Sequence, residues 1–87
     1  MYEVVIKDHA YKHGLTREEI LYAWAHLVVW RYRNPPYENS ILAVGHTADG
    51  RLAQMVDIEH PQAIIIIHAL SPPTQNALRV LGLKARR

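Results

Sequence analysis

The chain has 87 residues, enough for one domain around one modest core, and its hydrophobic share of 49% excludes a disordered chain. It has no cysteine, which excludes a disulfide framework and any thiolate metal site and fits a reducing cytoplasm. A formal charge of +2 permits a nucleic-acid partner without demanding one. Met1–Lys12 carries charges throughout and lacks the apolar core of a targeting segment. The longest apolar run, Ala63–Ile67, is far too short to span a bilayer.

Tyr2–Ile6 is a short apolar segment, either a strand or a lead-in. Asp8 can cap a short helix over His9–His13, with Gly14 where a helix C-terminal glycine belongs. Thr16-Arg17-Glu18-Glu19 matches a capping box, and Leu15 and Ile20 add a hydrophobic staple. Ile20, Trp24 and Leu27 recur at helical spacing, and the helix is expected to end near His26.

Leu27–Tyr32 is rich in β-branched and aromatic residues and reads as a strand. Alternation gives it one core face of Val28, Trp30 and Tyr32 and one outer face of Val29, Arg31 and Arg33. Asn34-Pro35-Pro36 ends it, because two prolines remove two backbone donors. Ile41–His46 and Leu52–Ile58 flank a turn at Asp49-Gly50 and read as a hairpin. Glu59–Gln62 is the next turn. Ile64–Ile67 is apolar on both faces, as a covered central strand would be. Ser71-Pro72-Pro73-Thr74 opens a last helix, with prolines in the first turn and Gly82 at its end. The expected fold is α+β: two N-terminal helices, an antiparallel sheet of three to four strands and a C-terminal helix, in one domain over residues 1–87.

Several of these segments, in this order, resemble a known family. Lys12-His13-Gly14-Leu15-Thr16 with Glu18-Glu19 is similar to the Lys-His-Gly-hydrophobic-Ser/Thr-x-Glu-Glu segment of BrnT-type toxins. Ile41-Leu42-Ala43-Val44-Gly45 resembles the family's next strand, and Asp49-Gly50-Arg51-Leu52 its Gly-Arg turn. Ile64–Ala69 resembles its Ile-Ile-Ser-Ala strand, with His68 in place of serine. The resemblance implies a RelE-like fold and a bacterial toxin of a type II toxin–antitoxin system. It further implies RNA cleavage without a cofactor or metal, neutralisation by a cognate antitoxin protein, and a cytoplasmic location. The chain departs from the family after Ala69. Leu70-Ser71-Pro72-Pro73 stands where an arginine-rich segment is usual, and the closing helix offers only Arg79.

Metal-independent RNA cleavage needs a base for the 2′-hydroxyl, a cation for the phosphorane and an acid for the leaving 5′-oxygen. Histidine suits the proton transfers and arginine the phosphate. Lys12 and His13 would hold or activate the RNA, although both also suit a helix C-terminus. Arg51, beside the turn, would stabilise the phosphorane, although hairpin turns often carry an exposed arginine. His68 would be the acid or base. By simple alternation it shares a face with Ile64 and Ile66, where a histidine with one hydrogen bond is the plainer alternative. Arg33, Arg79 and the tail residues Lys84, Arg86 and Arg87 are candidate RNA contacts, with aromatic residues such as Tyr37 available to stack on unpaired bases.

His9 and His13 have a zinc-compatible spacing but lack a third ligand nearby, so no metal site is expected. His46 is a weaker candidate at the hairpin mouth, His26 a helix-end residue and His60 a turn residue. Asp57 and Glu59 share a strand face, where they read as solvated rim carboxylates. The competing reading is a non-catalytic interaction module on the same fold, using Trp30, Tyr37 and Pro73–Leu81. A homo-oligomer is left open.

Overall fold

The computed structural model describes residues 3–83, so Lys84, Arg86 and Arg87 lie outside the described residues. The fold is α+β. Strand β1 (Glu3–Ile6) leads into a single 3-10 turn (Asp8–Tyr11), followed by helix α1 (Arg17–Ala25). Strands β2 (Leu27–Tyr32), β3 (Ser40–His46), β4 (Leu52–His60) and β5 (Ala63–Leu70) come next, and the short helix α2 (Gln75–Val80) follows them.

The strands form one five-stranded sheet in the order β1-β5-β4-β3-β2. Strands β2, β3, β4 and β5 pair antiparallel in succession, and β1 pairs parallel with β5 from Glu3 opposite Ala63 to Ile6 opposite Ile66. The sheet is therefore larger than expected, and mixed. A four-residue strand with three apolar residues does not reveal a partner sixty positions away.

The expected helix over His9–His13 is only the 3-10 turn. Lys12 and Gly14 donate their amides to the carbonyls of His9 and Tyr11, and Gly14 turns the chain at φ +90. Helix α1 begins as its sequence dictates. The Glu19 amide donates to the Thr16 hydroxyl at 3.1 Å, and the Thr16 amide donates to the Glu19 carboxylate at 2.8 Å. The helix ends with His26 as its C-cap.

Ile20 and Ala23 of α1 pack with Ala10 and Leu15 onto Ala53, Met55, Ile64, Ile66 and Ala69 of the sheet. Gly45 lets α1 come this close. A Cβ there would lie 2.0 Å from the carbonyl oxygen of Ala23. In the gap it leaves open, the His46 amide donates to the carbonyl of His26 at 3.1 Å.

Val28, Trp30 and Tyr32 do not form a core face. All three are exposed, because β2 is the edge strand and α1 covers β3 and β4 instead. The Trp30 and Tyr32 rings pack edge to face at 5.4 Å, and the Tyr32 hydroxyl donates to Glu59 at 2.8 Å.

Helix α2 sits on the opposite face of the sheet from α1. Both prolines precede its N-cap rather than entering its first turn. The Thr74 hydroxyl accepts from the Ala77 amide at 3.1 Å. Strand β4 continues through His60, which shortens the expected turn to Pro61-Gln62.

Candidate functional site

A β-bulge decides where His68 points. Val56 lies opposite His68, but the next pair is Asp57 with Ile66, so Ile67 is the extra residue. The bulge moves His68 off the face it would share with Ile64 and Ile66. It joins Gln54 instead, on the α2 side of the sheet.

There His68 meets His13. The two rings pack edge to face with centroids 5.4 Å apart, across 55 positions of sequence. Strand β1 ends at Ile6, so among the described residues no strand pairs with the β1 side of β5 beside His68, and the 3-10 turn packs against β5 instead. Partial burial, then the neighbouring His13 and His9, hold the His68 pKa below the ordinary histidine value.

The hydrogen bonds also fix its protonation. The Thr74 amide donates to Gln54 Oε1 at 2.7 Å, and an amide N–H can only donate. The Gln54 Nε2 group therefore faces His68 Nε2, at 3.1 Å, and donates to it. His68 Nε2 must offer its lone pair, which puts the proton of the neutral ring on Nδ1. Gln54 is buried and joins the start of α2 to this histidine.

Arg51 lies elsewhere. It continues the alternation of Ala53 and Met55 on the α1 face, opposite to His68. Its Nε donates to Asp49 at 2.8 Å and its Nη2 to Glu19 at 2.7 Å. Glu19 thus holds the helix cap with one oxygen and the hairpin turn with the other. The carboxyl pKa of Glu19 is lowered first by the Thr16 amide, and that of Asp49 first by the Thr47 hydroxyl. Arg51 is a clasp between hairpin and helix, with its charge already matched.

Arg31 and Arg33 have no carboxylate partner among the described residues. Arg31 reaches across to α2 and donates to the Val80 carbonyl at 2.9 Å. Arg33 donates to the Ser40 hydroxyl at 3.3 Å and lies 4.0 Å over the Tyr37 ring. Together with α2 they border a cleft of about 430 Å³, whose far wall includes Gln54. Arg79 is exposed on α2, where it donates to Asn76 at 2.6 Å. Lys12 is exposed next to His13.

Asp57 is not a rim carboxylate. It shares a face with Glu59 but is fully buried opposite Ile41 and Ile66, and neither carboxyl oxygen has a hydrogen-bond partner among the described residues. Burial, reinforced by the charge of Glu59, pushes its pKa up to about 7. The signal was present in the alternation of Ala53, Met55 and Asp57 on one strand face. His26 is a helix-end residue whose Nδ1 lies 2.8 Å from the Tyr22 carbonyl oxygen. His46 ends β3, and His60 accepts from the Gln62 amide at 3.3 Å.

Among the described residues, no group of three or more histidines or carboxylates is arranged to hold a metal ion, and no helix is long and apolar enough to cross a membrane. No family model, curated protein or solved structure matches the chain.

Proposed function

We propose that this chain is a small metal-independent endoribonuclease, a divergent toxin of the BrnT type held in check by a cognate antitoxin in the cytoplasm. The observation that carries this reading is the His13–His68 pair, joined from distant segments at an open end of the sheet. Rings this close can both reach one phosphodiester group.

In this reading His13 takes the 2′-hydroxyl proton as the 2′-oxygen attacks phosphorus. His68, with its Nδ1–H set by Gln54, donates a hydrogen bond to the oxygens that gain charge. The exposed Lys12, adjacent to His13 in sequence, supplies the cation that the resemblance would have drawn from Arg51. The 5′-oxygen leaves with a proton from water, and a 2′,3′-cyclic phosphate remains.

The test is expression of the chain alone, together with cleavage of RNA by the purified protein in the presence of a chelator. Growth arrest and chelator-resistant cleavage are expected. His13→Ala and His68→Ala should each lower the cleavage rate by about 10²–10⁴-fold. Normal growth with intact RNA in vitro would refute the reading.

A further inference from the structure

The cleft beside α2 has a chemistry of its own, which the histidine pair does not use. Its volume of about 430 Å³ falls in the range of small-ligand sites, roughly 300–1,000 Å³. No aspartate or glutamate lines it, yet two arginines do. Among the described residues each of these arginines makes one guanidinium hydrogen bond, out of five N–H donors. The floor is apolar, made by Leu42, Val56 and Ala77. Tyr37 stands at the side, about half exposed at 53%, with its ring already ordered against Arg33. The side-chain amides of Asn34 and Asn76 lie at the margins, where they can pair with the polar edge of a ring.

Paired cations over an apolar floor, with a stacking ring and amides alongside, suit a ligand that joins a phosphate to a flat heterocycle. A free phosphate would leave the floor and Tyr37 unused. A base held in a duplex presents neither of its faces to such a cleft. We propose that this cleft binds one nucleotide unit, with its phosphate on Arg31 and Arg33 and its base against Tyr37 and the apolar floor. The unit can come from a free mononucleotide or from an unpaired strand. The cleft does not depend on the cleavage reading. Gln54, shared by the cleft wall and His68, would place a bound strand next to the histidine pair.

The experiment is equilibrium binding of a fluorescent five-nucleotide deoxy strand to the full chain. This probe has no 2′-hydroxyl, so binding is read whether or not the protein cleaves RNA. Saturable binding is expected, with adenosine monophosphate competing at least about tenfold better than inorganic phosphate. Arg33→Gln should weaken binding about tenfold or more, and Tyr37→Leu, at an exposed position, severalfold. A strand that binds more tightly than the mononucleotide identifies the unpaired strand as the source, and the reverse order identifies the free nucleotide. The proposal is overturned if phosphate competes as well as the mononucleotide. It is likewise overturned if a duplex or a glutamate-rich peptide binds more tightly than the strand, or if both variants bind like the parent protein.

Discussion

The two faces of the sheet are built from alternating residues of the same strands, yet one is sealed and the other is open. On the α1 side, small residues let the helix settle directly onto the strands: Ala23 lies over Gly45, and Ala53 and Ala69 are completely buried. Arg51, at that border, is matched by two carboxylates. On the α2 side, a six-residue helix touches the sheet through a hydrogen bond near each end, Thr74 to Gln54 and Arg31 to Val80, and a cleft remains between them. Arginines there lack carboxylates. A closed face carries stability, and an open face with unmatched charge is free to carry recognition.

The sealed face contains one misfit, and it gives the largest expected effect. Asp57 is buried without a partner and keeps its proton up to about pH 7, whereas in the unfolded chain it ionises near ~3.9. Between these values the folded state holds one proton more than the unfolded state. Stability should therefore fall as pH rises from about 4 to about 7, at about 1.4 kcal/mol per unit, and level off above. The total is on the order of 4 kcal/mol, a large share of the ~5–15 kcal/mol that holds a domain together. His68 acts in the opposite sense. Its lowered pKa costs stability as pH falls below ~6.5, because the unfolded chain then binds the extra proton. Urea unfolding of Asp57→Asn beside the parent protein across this range separates the two. The difference between the proteins should carry the Asp57 slope, and a difference independent of pH would show that Asp57 is ionised in the folded state.

Next in size is Gly45→Ala. The added methyl would meet a backbone oxygen of α1, which cannot rotate away as a side chain could. The helix end must move off the strand, breaking the His46–His26 hydrogen bond, at a cost of about 3 kcal/mol. The corresponding change on the open face, Tyr37→Leu, should move the unfolding midpoint far less. Equal losses would mean that the two faces are not as different as their packing.

Gln54→Leu tests the link, on the open face, between the cleft and the histidine pair. It leaves the Thr74 amide without its acceptor and frees His68 Nε2, so a loss of about 1–3 kcal/mol is expected. It should also raise the His68 pKa, visible in the NMR titration of that ring. An unchanged titration would separate Gln54 from the tautomer assigned to His68.

The faces were unequally legible in the sequence. The capping box at Thr16, the helix end near His26, the strand over Leu27–Tyr32 and the hairpin are local signals, and the structure forms them all. The pairing of β1 with β5 and the edge position of β2 are relations between distant segments, which local patterns do not encode. His68 was legible as a residue of interest but was assigned to the wrong face, because one bulged residue at Ile67 reverses the alternation beyond it. Arg33 and Tyr37 were legible as an RNA contact and a stacking ring, and Arg31 only as an outer-face residue. Their cleft exists only because α2 returns to lie over them.

The smallest expected effect separates the resemblance from the geometry most sharply. The resemblance gives Arg51 the phosphorane, whereas its position gives it Asp49 and Glu19, on the other face from His68. These ion pairs are at the surface, where such pairs add little to stability. Arg51→Ala should therefore shift the unfolding midpoint less than Asp57→Asn, Gly45→Ala or Gln54→Leu. RNA cleavage should stay within a few-fold of the parent protein, because Lys12 and the two histidines are untouched. A loss of a hundredfold with normal folding would mean that Arg51 leaves its carboxylates when RNA binds. The chemistry would then span both faces at the end of the sheet rather than belong to the open one.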